Sequence, residues 1–294
     1  MKGIIVAAGY GTRFLPATKT VPKEMLPLID KPSIAFIVEE FLASGITEIL
    51  IISSRRKKAL EDYFDHEVEL ESAFARDGME EKLEKIRPYK AKVYFVRQQE
   101  MLGTGHALLQ AKSLLGNEPF VVAYPDDLHF GAVPLARQLI DLYEQTGCCV
   151  LSTIYDPPNI GRYGVLKLAD DNLHALDIIE KPEPGQEPSR EASIGRYLYT
   201  YELFRLLEEG WELHRGGEYY HTYALRQLMK EGKVVYRRIE GDRLDTGSPE
   251  GYLEAIIRYA ASQPQYREVL KRALTLLPEM HPGERPHGRK AGVQ

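Results

Sequence analysis

The chain has 294 residues, 44% of them apolar and 28% charged, which suits one large α/β domain with a substantial core. A formal net charge of −5 gives no global positive field, so neither nucleic acid nor a membrane is an expected partner, and the basic residues that matter must be local. No apolar run could span a bilayer, Met1-Lys2-Gly3 opens no signal-peptide pattern, and the only cysteines, Cys148 and Cys149, are neighbours that point to opposite faces of a strand; a cytoplasmic protein without a structural disulfide is expected.

The first element is an apolar run, Gly3-Ile4-Ile5-Val6-Ala7-Ala8, which reads as a buried parallel strand. It feeds a long loop, Gly9 to Pro27, at the place where an open α/β sheet binds its ligand. Gly9 and Gly11 allow a sharp turn and bring N–H groups close to an anion. Arg13 adds a planar fork suited to phosphate, and Lys23 adds a point charge. Pro16, Pro22, Pro27 and Pro32 keep the segment out of a helix. A dinucleotide-binding turn would need glycine where Phe14 stands, and a P-loop would need Gly-Lys-Ser/Thr, so both are excluded.

Pro32 then opens a helix whose apolar face is Ile34, Ile37, Val38, Phe41 and Leu42, with Gly45 ending it. Glu48 to Ser53 is the second strand, so strand, loop, helix and strand make the unit of a parallel sheet. Lys58 to Phe64 is helical, and Glu67 to Arg87 is a charged helical excursion. Lys92 to Val96 is a strand that ends in the glycine loop Arg97 to His106, and His106 to Leu115 is a helix closed by Gly116. Phe120 to Tyr124 is a continuous apolar strand delivering Pro125-Asp126-Asp127 at its C-terminal end. Leu135 to Thr146 is a helix and Cys148 to Tyr155 a strand. Tyr163 to Leu168 and Leu173 to Glu180 alternate with period two and predict an antiparallel extension over the crevice. After a proline-rich loop, Lys181 to Pro188, come a strand (Ser193 to Thr200), helices (Tyr201 to Glu209, Glu218 to Glu231) and strands (Lys233 to Ile239, Asp242 to Thr246). Ser248 caps a helix with Pro249 in its first turn, running to about Ala261, and Gln265 to Leu277 is the last helix. No internal repeat is present.

The run Gly-x-Gly-Thr-Arg-x-x-Pro-x-Thr-x-x-x-Pro-Lys, from Gly9 to Lys23, resembles the signature of sugar-1-phosphate nucleotidylyltransferases. Its continuation, Glu24-Met25-Leu26-Pro27-Leu28-Ile29-Asp30-Lys31-Pro32, is similar to the bacterial UTP–glucose-1-phosphate uridylyltransferases, and later motifs extend the likeness to about residue 260. The resemblance implies a Rossmann-like α/β fold, a mixed, mostly parallel sheet flanked by helices, of the nucleotide-diphospho-sugar transferase type. It implies one domain over 1–277, with a nucleotide half (1–155), a sugar half (156–262) and a C-terminal helix (263–277); 278–294 is expected to be a flexible tail. UTP and glucose 1-phosphate are the implied substrates, and a dimer or tetramer the expected assembly.

Carried over residue by residue, the resemblance makes Arg13, Lys23 and Lys181 catalytic and places Ala8, Gly9, Gly11, Thr12, Gln98, Gly103 and Asp127 around the nucleotide. Asp126 and Asp245, in Leu244-Asp245-Thr246-Gly247, would hold Mg²⁺, an ion usually bound by one or two carboxylates together with phosphate. Taken singly, each aspartate would read as an ordinary turn residue. Gln98 offers a donor and an acceptor to a pyrimidine edge, with Gln99 as its register competitor. His106 reads as structural rather than as an acid or base. Glu180 and Lys181, with Gly164 and Gly195 in Tyr163-Gly164-Val165 and Ile194-Gly195-Arg196-Tyr197, would line the sugar pocket.

Three positions depart from the uridylyltransferase pattern. Tyr223 stands where the family carries an acidic residue, Arg190 where it carries Asn, and Asp245-Thr246-Gly247 has the thymidylyl form. A thymidylyltransferase, or a non-catalytic nucleotide-sugar sensor on the same fold, therefore stays open at this stage.

Overall fold

In the computed structural model, which describes residues 1–275, the chain opens with β1 (Lys2–Val6), the two-residue strands β2 (Pro27–Leu28) and β3 (Lys31–Pro32), α1 (Ser33–Ala43) and β4 (Glu48–Ser53). It continues through α2 (Lys58–Phe64), α3 (Val68–Arg76), α4 (Glu80–Ile86), β5 (Lys92–Arg97), α5 (Thr104–Leu109), α6 (Lys112–Leu115), β6 (Phe120–Ala123), β7 (Asp127–Phe130), α7 (Leu135–Thr146) and β8 (Cys149–Tyr155). Then follow β9 (Gly164–Leu168), β10 (Ala175–Glu180), β11 (Glu191–Tyr199), α8 (Glu202–Leu213), α9 (Thr222–Lys230), β12 (Val234–Arg238), β13 (Asp242–Asp245), α10 (Pro249–Ser262) and α11 (Pro264–Thr275). The expected tail, 278–294, lies outside the described residues.

Nine strands form one mixed sheet. β1 lies parallel between β4 and β6, and β5 extends this parallel part. β11 runs antiparallel to β6, β8 and β9, while β10 pairs with β9 and β12 pairs parallel with β8. Ile4 and Val122 pack into one apolar layer with α8 and α9, and Ile5 and Val121 into the other with α1 and α7. Burial on both faces is why these strands read as continuous apolar runs rather than as alternation.

Along one edge of β11, β9 pairs at Ala192 and Ser193 and β6 pairs from Arg196 to Tyr199. Gly195 falls in the gap between them, and its carbonyl accepts from the Tyr124 N–H at 3.0 Å. A buried ion pair braces this junction. Arg196 donates to both carboxylate oxygens of Glu40, at 2.9 and 2.8 Å, and to the Asp127 carbonyl at 3.2 Å. Glu40 also accepts from the Ala136 N–H at the start of α7.

Several expected boundaries shift for local reasons. Pro32 precedes the helix instead of opening it, because it pairs with Pro27 in β3 and holds an extended ψ of 149°. The loop Gly9 to Pro27, expected to stay out of a helix, carries three short 3₁₀ turns, Thr12–Phe14, Ala17–Lys19 and Lys23–Met25. The helix expected from His106 starts at Thr104 and breaks into α5 and α6. The helix expected from Glu218 starts only at Thr222, because the Tyr219 backbone bonds to Leu102 and Gly105 instead. β7 has no counterpart in the sequence reading. Ser248 does cap α10, accepting from the Gly251 N–H at 3.2 Å. Cys148 and Cys149 are free thiols.

Candidate active site

The loop after β1 is cross-braced. Gly11 has a φ of 69°, a left-handed conformation that favours glycine, and its carbonyl accepts from the Thr18 hydroxyl at 2.7 Å. Gly9 has no such conformation, so only one of the two glycines is needed for the turn. Behind the loop, Glu24 and Lys57 form a buried pair at 2.6 Å. Burial pushes the Lys57 ammonium below its ordinary pKa, with Glu24 opposing.

Lys23, beside Glu24, reaches across the crevice to Asp126 Oδ2 at 2.5 Å. Burial works against its charge, but Asp126 and Glu24 outweigh it and hold the ammonium above the ordinary 10.5. Likewise burial opposes the charged form of Asp126, and Lys23 outweighs it, so the carboxyl stays below 3.8. Both groups are therefore ionised across the working pH range.

Asp245 arrives by a ladder between distant segments. β13 pairs antiparallel with β7 and sets Asp245 opposite Asp127, while the Thr246 N–H bonds the Asp126 carbonyl at 2.7 Å. Gly247 marks the meeting point. A Cβ placed there would lie 3.0 Å from Asp126 Oδ2, 3.0 Å from Asp245 Oδ1 and 3.5 Å from an Arg13 guanidinium nitrogen. Arg13 also donates to the Gly247 carbonyl at 3.1 Å. Two carboxylates and a guanidinium thus face one small space that any side chain at 247 would fill. Oxygen donors of this kind and number fit a hard divalent cation that keeps its other positions for water and phosphate. Among the described residues no cluster of three or more potential metal-ligating side chains exists.

Asp127 is engaged elsewhere. It is 8% exposed; Arg243 donates to both its oxygens, at 2.8 and 3.2 Å, and the Gly195 N–H donates to Oδ2 at 2.7 Å. Three hydrogen bonds thus tie it to structure, and Gly195 packs against it.

Ala8, Gly9, Gly11, Thr12, Gln98 and Gly103 line one cavity of about 320 Å³. Gln98 is 4% exposed and donates through Nε2 to the Gly103 carbonyl at 3.0 Å, whereas Gln99 is exposed. Gly103 has a φ of 100°, and a Cβ there would sit 2.4 Å from the Tyr219 carbonyl oxygen, so only glycine fits. The segment before α9 therefore backs the loop that carries Gln98 and Gly103, and Glu218 lines this cavity as well as a second one that includes Glu180. Gly164 and Glu180 are paired residues of β9 and β10, while Lys181, whose N–H bonds the Tyr163 carbonyl at 3.0 Å, lines a separate cavity with Asp156 and Arg162.

Sequence reasoning missed Gly247, Arg243 and Glu218. Gly247 alone had a signal, as the residue completing Leu244-Asp245-Thr246-Gly247. Tyr223 donates to Glu209 at 2.8 Å and lines the same second cavity as Glu180 and Glu218.

The nucleotidyl transferase family model matches residues 2–262. The chain is 41% identical to the UTP–glucose-1-phosphate uridylyltransferase of Staphylococcus epidermidis over 276 residues, 92% of this chain and 96% of that one. It is 43% identical to UTP–glucose-1-phosphate uridylyltransferase 2 of Streptococcus pyogenes, over 92% of this chain and 93% of that one. Among solved structures it is similar to the UTP-bound UGPase of Acinetobacter baumannii, with a TM-score of 0.85 at 31% identity, covering 94% of this chain and 99% of that one. A UDP-glucose pyrophosphorylase complexed with UDP-glucose gives 0.76 at 37% identity, covering 89% and 99%. No described helix is long and apolar enough to cross a membrane.

Proposed function

This chain belongs to the nucleotidyl transferase family, and we propose that it transfers a uridylyl group from UTP to α-D-glucose 1-phosphate, giving UDP-glucose and pyrophosphate. The observation that carries this reading is the convergence of Arg13, Lys23, Asp126 and Asp245 at Gly247. A sensor that only bound the nucleotide sugar would not need two carboxylates, an ammonium and a guanidinium around one point.

A phosphate oxygen of the sugar substrate attacks the α-phosphorus of UTP, the bond to the β-phosphate oxygen breaks, and pyrophosphate leaves. The nucleophile is already an anion, so positioning and charge neutralisation carry the rate. Arg13 and Lys23 take the triphosphate side, and Lys181 steers the sugar phosphate. Asp126 and Asp245 would hold Mg²⁺, which supplies positive charge for phosphate oxygens. Gly164 and Glu180 face the hexose, with residues 156–262 forming the sugar half. The cytoplasm is the proposed setting.

A pyrophosphate-release assay over several nucleotides and sugar 1-phosphates tests the reading. UTP with glucose 1-phosphate should be the best pair. One methyl in a snug pocket is worth only about 1–3 kcal/mol, so dTTP should be a measurable second substrate. CTP, ATP and GTP should be poor. Gln98→Ala should narrow the gap between UTP and CTP, and Gln99→Ala should not; a collapse with Gln99→Ala alone would move base reading by one residue. A preference for dTTP over UTP would turn the assignment to a thymidylyltransferase.

Calorimetry separates the two substrate sides. Lys181→Ala should weaken glucose 1-phosphate binding by about tenfold, the scale of one charge-assisted contact. UTP binding should change little. Equal losses for both ligands would refute this division of labour.

A further inference from the structure

His106 lies on α5 with its ring 5.0 Å from that of Trp211, centroid to centroid, and its Nδ1 is 3.1 Å from Gln98 Nε2. The same Nε2 donates to the Gly103 carbonyl at 3.0 Å. A carbonyl oxygen can only accept, so the amide nitrogen, not the oxygen, must face this corner. His106 Nδ1 must then be unprotonated to accept the second amide hydrogen. Both donors of Gln98 are used, and among the described residues no donor reaches its Oε1. The Gly103 N–H has no protein partner among them either. The cavity is thus offered an acceptor from Gln98 and a donor from Gly103.

We propose that His106 is a positioning residue for nucleotide choice: its neutral imidazole accepts from Gln98 and holds that amide with Oε1 toward the base. This rests on the reading that Gln98 faces the base. Uracil donates its N3–H to such an acceptor, whereas cytosine presents a lone pair at N3 and is repelled. A glutamine free to turn over would read either edge, so selectivity needs a fixed amide and not merely a glutamine. The role differs from acid–base catalysis, because the imidazole exchanges no proton with substrate.

The groups around the ring are Gln98 and Glu100 from the base-side loop, Gln110 from the residues after α5, and Trp211 from α8. Burial keeps the ring below its ordinary pKa of 6.5, with the Glu100 carboxylate and backbone opposing. The acceptor state is therefore present at neutral and alkaline pH and is lost as pH falls through the lowered value. Protonated, Nδ1 would confront the amide hydrogens, and turning the amide over would set its oxygen against the Gly103 carbonyl.

The test measures kcat/KM for UTP and for CTP in the wild type, His106→Phe, His106→Asn and Gln98→Ala, with thermal melts to confirm folding. Phe keeps the ring against Trp211 without an acceptor; Asn loses the ring but places an amide oxygen near Nδ1. His106→Phe should narrow the UTP:CTP ratio by about tenfold or more, the scale on which a mismatched buried polar group discriminates. His106→Asn should keep most of it. In the wild type the ratio should fall as pH is taken down from neutral through the imidazole's lowered pKa, below 6.5, while that of His106→Asn stays level. An unchanged ratio in His106→Phe beside a collapsed one in Gln98→Ala would overturn the proposal, as would equal losses in Phe and Asn. An unchanged ratio in Gln98→Ala would instead remove the base-reading role of Gln98 itself.

Discussion

Asp126→Asn and Asp245→Asn are each expected to lower kcat by roughly a hundredfold or more, the scale of losing one key electrostatic group at a reacting centre. The change keeps the size of the side chain and removes its charge. Asp126 should be the more sensitive position, because its Oδ2 also pairs with Lys23 at 2.5 Å, and the variant leaves that ammonium without its anionic partner. Asp245 lacks that tie, though its carboxylate is also 3.4 Å from Arg243. Steady-state pyrophosphate release at saturating substrates, repeated with EDTA and with added Mg²⁺, is the measurement. EDTA should abolish wild-type turnover and Mg²⁺ should restore it. Near-wild-type turnover in both variants would remove the metal assignment. Because Asp126 is held below 3.8, neither its charge nor the Lys23 contact should titrate between pH 5 and pH 9, and Asp126 should contribute no acid limb in that window.

Arg196→Met should destabilise the fold by about 3–5 kcal/mol, since it leaves Glu40 as an uncompensated buried charge. The Arg196 and Glu40 side chains are 1% and 7% exposed, and the bidentate contact ties α1, α7 and β11 together. Denaturant unfolding should show the loss directly, and Tm should fall by about 2–4 °C per kcal/mol for a chain of this size class. The double replacement Glu40→Leu with Arg196→Met should recover much of the stability, because two apolar residues leave no orphaned charge. A loss under about 1 kcal/mol for Arg196→Met would mean that water or rearrangement satisfies Glu40. Arg196 also donates to the Asp127 carbonyl, so some loss of activity should accompany the loss of stability.

Features encoded over short distances are legible in the chain. The buried β1 is legible because a strand covered on both faces reads as an unbroken apolar run. The loop after β1 is legible because its prolines act on their own backbone and Gly11 needs a left-handed φ. Ser248 and Pro249 mark the start of α10 through capping chemistry within one turn. The resemblance carried by these motifs was enough to name the family and its substrates.

How these pieces meet depends on pairing between distant segments. β7 was invisible beforehand, because Asp127-Leu128-His129-Phe130 is too short for its alternation to stand out from a loop. Without β7 nothing in the chain says that Asp245 pairs opposite Asp127, more than a hundred residues away, or that Gly247 closes the space between two carboxylates and Arg13. The two aspartates of Pro125-Asp126-Asp127 look alike in sequence, yet one meets Lys23 and the other is consumed by Arg243 and Gly195. Adjacent residues leave the chain in different directions, and the partner awaiting each comes from a distant strand. The same holds for Gln98, whose two donors are taken by Gly103 and His106. Local periodicity records which face a residue occupies, not which long-range partner is already using its hydrogen bonds.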